Sequence, residues 1–191
     1  EDWDPTLFTE TFQYKCSIYL ARVVLDSIGE LFSSAKGIMG WLANVAEIVA
    51  QQDEPMSWIS PVGLPVIQPY RRNAKKSVHT SLQTIQIVDD ENFIPINKRK
   101  QSSAFPPNFV HSLDSAHMLM TAIRCEQANL DFAAVHDSYW THAGDTDEMN
   151  MLLRESFIDL YETNILEDLM MSLKCRFPGV EFPEIPQRGE L

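Results

Sequence analysis

Cysteine is scarce in this chain. Cys16, Cys125 and Cys175 are the only three in 191 residues, and they stand far apart. Such isolation excludes a thiolate metal site, and an odd, sparse set excludes a disulfide framework; reduced thiols in an intracellular compartment are expected. Long apolar runs are missing too. No stretch approaches the roughly 20 residues a membrane-spanning helix needs, so no membrane partner is expected. No secretory or transit segment is visible, and repeats and low-complexity tracts are absent. Basic residues are in the minority, 15 against 27 acidic, giving a formal net charge of −12. Taken over the whole chain, that balance argues against nucleic acid, because phosphate binding wants Lys and Arg.

The charge is unevenly spread. Residues 61–100 hold seven basic residues (Arg71, Arg72, Lys75, Lys76, Lys98, Arg99, Lys100) against three acidic ones, a net of +4. Residues 137–191 hold four basic and twelve acidic residues, a net of −8. Local field steers a polyanion more than total charge does. The basic middle is therefore expected to face nucleic acid and the acidic tail to face solvent.

A length of 191 residues allows one sizeable core. Asp4-Pro5 is a helix start, and the apolar positions from Leu7 and Phe8 to Ile28 predict a helix over 6–31, buried over much of its surface. Ser33-Ser34 starts a second, with Trp41, Leu42, Val45 and Val49 on one face, ending near Gln51. Residues 57–59, 66–70, 77–80 and 83–88 read as strands, the first two around the turn-rich Ser60-Pro61-Val62-Gly63-Leu64-Pro65. Pro106-Pro107 is read as the start of a long helix to about Asn129. Asp145 is expected to cap a further helix, and Thr163 or Asn164 another. Helices 1–56, a β-rich basic stretch 57–100 and a mixed segment 101–191 make an α+β chain, mainly helical.

The stretch with most chemistry is Ala134-Val135-His136-Asp137-Ser138-Tyr139-Trp140. Asp-Ser is turn chemistry and its flanks are strand chemistry, so a β-hairpin with a carboxylate at its tip is predicted. Rigid backbone on both sides is the support that a metal-gripping carboxylate needs. His136 is expected to point to the opposite side of its strand. His111, Asp114 and His117 invite a metal reading as well. At 100° per residue, positions six apart diverge by roughly 120°, so the two histidines cannot converge on one ion. Asp114 is accordingly expected to be structural, and Tyr139 and Trp140 to pack the hairpin.

Pro106-Pro107-Asn108-Phe109-Val110-His111-Ser112-Leu113-Asp114-Ser115-Ala116-His117-Met118, followed by Val135-His136-Asp137-Ser138-Tyr139-Trp140-Thr141-His142, resembles the C-terminal palm of the bacteriophage-type single-subunit RNA polymerases, their mitochondrial branch above all. Trp58-Ile59-Ser60-Pro61-Val62-Gly63-Leu64-Pro65-Val66-Ile67-Gln68-Pro69-Tyr70 fits the same family in the right order. The resemblance spans nearly the whole chain. It implies part of a right-hand polymerase (palm and fingers) with a catalytic β-hairpin, cut from a longer enzyme before the short aromatic foot that ends the family's chains. The implied reaction is template-directed ribonucleotidyl transfer in the mitochondrial matrix, with two Mg²⁺ ions. DNA template, nascent RNA and ribonucleoside triphosphates would be its partners, with mitochondrial transcription factors beside them.

By the same resemblance Asp137 carries one metal ion and is catalytic. His111 and His136 contact the nucleotide or the primer end. Gln68, Tyr70, Arg71, Arg72 and Lys100 bind nucleic acid. The family's second metal-binding aspartate and its fingers lysine and tyrosine have no counterpart here, so the chain alone is expected to be inactive. Two alternatives stand beside this: the palm of a DNA polymerase, which usually has Glu where this chain has Ser138, and a non-catalytic interaction module derived from a polymerase.

Overall fold

The computed structural model describes residues 10–72, 75–79, 83–88 and 94–187. They form α1 (Glu10–Leu31), α2 (Ser33–Gln51), β1 (Met56–Ile59), β2 (Pro65–Gln68), β3 (Lys75–His79), β4 (Thr84–Val88), α3 (Lys98–Gln127), β5 (Ala133–Val135), β6 (Ser138–Trp140), α4 (Thr146–Glu162) and α5 (Ile165–Arg176). The strands pair as three separate two-stranded antiparallel sheets. The α+β expectation holds in the form of a mainly helical chain with small antiparallel hairpins. Asp4, Leu7 and Phe8, read as the start of the first helix, lie outside the described residues. No helix among the described residues is long and apolar enough to cross a membrane.

The chain divides into two compact units, Glu1–Gly40 and Trp41–Leu191. The first is α1 and the opening turns of α2. Its helix was expected to be buried over much of its surface, but Tyr14, Tyr19, Leu20, Leu25, Leu31 and Phe32 are all more than half exposed. The periodicity that signals an apolar helix does not say what covers it, and the described part of this unit has too few elements to do so.

The second unit holds the core. Trp41, Leu42, Val45, Ala46, Val49 and Ala50 line one buried stripe of α2, the i, i+4, i+8 row and its neighbours. Trp58 on β1 meets Phe105 and Phe109 of α3 edge-on, at centroid distances of 5.2 and 6.0 Å. Its indole N–H donates to Ser112 Oγ at 2.9 Å, so the one polar atom of this aromatic cluster is satisfied. The β1–β2 hairpin closes through Ser60, whose N–H donates to the Leu64 carbonyl and whose hydroxyl accepts from the Leu64 N–H. Gly63 takes φ +84° there, a conformation glycine adopts without steric cost.

Helix α3 corrects one expectation. Pro106-Pro107 was read as its start, yet the helix begins more than two turns earlier, where the Asn97 side chain caps it by accepting from the Lys100 N–H. Two interior prolines forgo two helical hydrogen bonds. The loss is outweighed by burial on both sides of them, where Gln101, Phe105, Pro106 and Phe109 are all buried. At the other end, Asn129 adopts φ 56°, the Leu130 N–H returns to the Cys125 carbonyl and the Asn129 N–H to the Glu126 carbonyl. This is a Schellman closure, and it turns the chain out of α3 into β5. Helix α4 then packs along α3, where Arg124 pairs with Glu155 at 3.3 Å and with Asp159.

Candidate active site

Three residues four or fewer apart on α3 share one face: His111, Asp114 and Ser115, with Met118 one turn on. The β5–β6 hairpin stands against this face. Its register pairs Val135 with Ser138, so the two turn residues are His136 and Asp137, and Ser138 already belongs to β6. His136 takes φ 52°, in the left-handed region where His is enriched among non-glycine residues. The expectation that His136 points away from Asp137 across a strand is thereby corrected. It is a turn residue, and both residues line the same hollow of about 440 Å³ with His111, Asp114, Ser115 and Tyr139.

Tyr139 is the hairpin's anchor. Its ring meets Phe132 at 5.3 Å and His117 at 6.1 Å. His117 in turn bonds the Leu153 carbonyl of α4 at 2.9 Å, so its Nε2 carries the proton, and it packs edge-on to Phe157. His117 thus faces α4 while His111 faces the hollow, the divergence that helical geometry demands. Burial pushes the Tyr139 hydroxyl above the usual tyrosine range, and the Asp114 and Asp137 carboxylates push it further the same way. Tyr161 on α4 is raised by burial and then by Asp114. Two carboxylates, Asp114 and Asp137, and two imidazoles, His111 and His136, thus border the hollow.

Asp137, His111 and His136, predicted separately, come together here. All three are exposed. Asp114 was expected to be structural, but it is exposed and makes no hydrogen bond or ion pair among the described residues. Tyr139 does pack the hairpin, and it lines the hollow as well. No group of three or more potential ligands able to hold a metal occurs among the described residues. Asp137 offers a solvent-facing carboxylate on a two-residue turn, an oxygen donor of the kind Mg²⁺ takes. That ion takes one or two carboxylates and fills its remaining positions with water and phosphate oxygens. The donor chemistry fits one side of such a site.

A second hollow, of about 540 Å³, shares His111 and Ser115 with the first. Its other walls are the β1–β2 hairpin, Tyr70 and Asn108. Gln68 was expected to touch nucleic acid; the structure buries it, 2% exposed, beneath this hollow. Its amide is occupied by Gln101 and Asn108, so it supports the wall and offers no face to a ligand. Tyr70, Arg71, Arg72 and Lys100 do gather at one edge. Arg71 bridges to Ile96, the Asn97 N–H donates to the Tyr70 carbonyl, and the Lys100 ammonium lies 4.4 Å over the Tyr70 ring. Lys98, Arg99 and Lys100 fill the first turn of α3, which has no acidic residue. Their charge adds to the positive end of the helix dipole. Asn108 was the residue missed. Its place one helical turn before His111 was the only signal for it in the sequence.

A family model described as DNA-dependent RNA polymerase matches residues 3–190. DNA-directed RNA polymerase 3, chloroplastic, of Nicotiana sylvestris is 47% identical over 189 residues, 99% of this chain and 18% of that protein. DNA-directed RNA polymerase 1, mitochondrial, of the same plant is 47% identical over 181 residues, 95% of this chain and again 18% of the relative. DNA-directed RNA polymerase 2A of Nicotiana tabacum is 47% identical over 182 residues, with 54% of its length covered. The chain thus spans between about a fifth and about half of the length of these relatives.

Proposed function

Since the chain belongs to the DNA-dependent RNA polymerase family, we propose that it forms the palm segment of a right-hand, single-subunit enzyme that joins ribonucleotides on a DNA template. The observation that carries this is the convergence of Asp137 and His136, on a two-residue turn, with His111 of α3 around one open hollow. Two divalent ions, when bound, would lower the pKa of the attacking 3′-hydroxyl and steady the triphosphate. Asp137 would be one ligand; its partner carboxylate and the fingers lysine would come from elsewhere in the enzyme, as the resemblance implies.

The remaining residues position the strands. His111 offers its imidazole to the ribose or the minor-groove edge beside the primer end, and His136 flanks the same end from the turn. The Tyr139 ring, wedged between Phe132 and His117, holds the hairpin on α3 and so fixes where the Asp137 carboxylate stands. Tyr70, Arg71, Arg72 and Lys100 meet the phosphates of template or heteroduplex, a sequence-independent contact that weakens with salt. Substrates are ribonucleoside triphosphates, and the partners are template DNA, nascent RNA and mitochondrial transcription factors. Its seat is a DNA-containing organelle: the motif resemblance favours the mitochondrial matrix, and the relatives' names divide between mitochondrion and chloroplast.

The test is single-nucleotide addition by the whole polymerase carrying Asp137→Asn, at saturating Mg²⁺. Asn keeps shape and turn bonding but removes the charge. A fall of about 10²–10³-fold is expected, the scale for deleting one preorganised electrostatic group, with the melting temperature nearly unchanged. A rate within about threefold of wild type would remove Asp137 from the mechanism.

A further inference from the structure

The second hollow contains two polar groups whose orientation is set from beneath it. At the buried end, the Gln101 side-chain amide donates to the Gln68 backbone carbonyl. The Gln68 amide nitrogen donates to the Gln101 backbone carbonyl at 3.0 Å and to its side-chain oxygen at 2.7 Å. A backbone carbonyl only accepts, so the nitrogen end of each amide is fixed. Gln68 Oε1 is therefore turned to Asn108, whose Nδ2 donates to it at 2.9 Å and to the Tyr70 hydroxyl at 3.3 Å. Both Asn108 amide hydrogens are then engaged. What it has left is Oδ1, an acceptor without a partner among the described residues. The Tyr70 oxygen accepts from Asn108, which leaves its own O–H to donate.

An acceptor beside a donor is the complement of a hydroxyl, which both donates and accepts. We propose that Asn108 and Tyr70 form a subsite that reads the 2′-hydroxyl of one ribose in an RNA strand lying along α3, beside His111. This rests on the polymerase reading above and deepens it. A guanine minor-groove edge could also meet such a pair. The ribose is favoured because a 2′-hydroxyl recurs at every position of an RNA strand, in the wide, shallow minor groove of an A-form helix. A guanine reader would tie synthesis to sequence. Lys100, over the Tyr70 ring, brings a cation to the same place for a neighbouring phosphate.

The experiment uses the whole polymerase on RNA-primed DNA templates, with a single 2′-deoxy substitution at each of the last several primer positions in turn. In the wild-type enzyme one position should slow single-nucleotide addition roughly fivefold, the value of about one lost hydrogen bond. In Asn108→Ala and in Tyr70→Phe that penalty should shrink below about twofold, because the reading groups are already gone. Tyr70→Phe keeps the ring under Lys100 and is the variant that preserves the wall. An undiminished deoxy penalty at every position in both variants would overturn the proposal. So would variants that abolish a penalty for inosine in place of guanine while leaving the deoxy penalty intact. If the wild-type enzyme fails to extend an all-RNA primer, the polymerase reading itself falls, and this inference with it.

Discussion

The places of His111 and Asp137 in the fold could be read from sequence because local structure constrains their neighbours, whereas their roles came only from the family resemblance. A histidine on an apolar-periodic helix and a carboxylate between two short strands can each be placed from a dozen residues of sequence. Gln68 could not. Its burial depends on Gln101, thirty-three positions away, and the two amides satisfy each other inside the core. Nothing within the 58–70 motif signals that pairing. Asp114 was misplaced for the opposite reason: helical geometry sets His111 and His117 on different faces, but it says nothing of the hairpin that comes to stand beside Asp114. His111 is exposed and bonded to nothing in the core, so its removal should leave the fold intact. His111→Ala in the whole polymerase should slow single-nucleotide addition roughly fivefold to tenfold, or reduce selection against deoxynucleotides by a similar factor. The melting temperature should move by no more than about 2 °C. Wild-type rate and selectivity in the variant would remove His111 from the working surface of the site.

Elements were foreseen better than their ends. Both hairpins that frame the two hollows, and the helices after them, were predicted within a few residues. The exception is α3, where Pro106-Pro107 outweighed the Asn97 cap in the sequence reading. Proline is a strong local signal, but tertiary burial of Phe105 and Phe109 against Trp58 outbids it. The extra turns shape the second hollow, because they bring Gln101 under Gln68 and Lys100 over Tyr70. Gln101→Leu would fill the space but strip two partners, leaving the Gln68 amide and backbone carbonyl poorly satisfied in a site almost closed to water. A loss of about 2 kcal/mol is expected, seen as a fall in melting temperature of roughly 4–8 °C. An unchanged melting temperature would show that the amide pair contributes nothing to holding β2 on α3.

For the whole molecule, the distribution of charge says more about local surfaces than the net value does. The largest part of the acidic surplus, a net of −8, lies in residues 137–191, while Arg71, Arg72 and Lys98 to Lys100 are brought to one edge by the bridge between 71 and 96. The sequence also showed an apolar α1 without showing what lies against it. Along that helix Leu20 is 60% exposed, Leu25 67% and Leu31 77%. A monomeric protein rarely leaves a contiguous apolar patch beyond a few hundred Å² open to water. Covering one large side chain is worth roughly 1.5–3 kcal/mol, so several such side chains on one helix outweigh the charge repulsion between copies. The isolated 191-residue chain should therefore self-associate at micromolar concentration, bind a hydrophobic dye, and stay associated in high salt, because the force is apolar. A chain lacking residues 1–32, with α2 left whole, should sediment as a monomer and bind little dye. Leu20→Glu with Leu25→Glu in the longer chain should have the same effect without cutting it. A longer chain that sediments as a monomer and leaves the dye unbound would mean that α1 is covered in solution, and the surface would then need no partner from the rest of the polymerase.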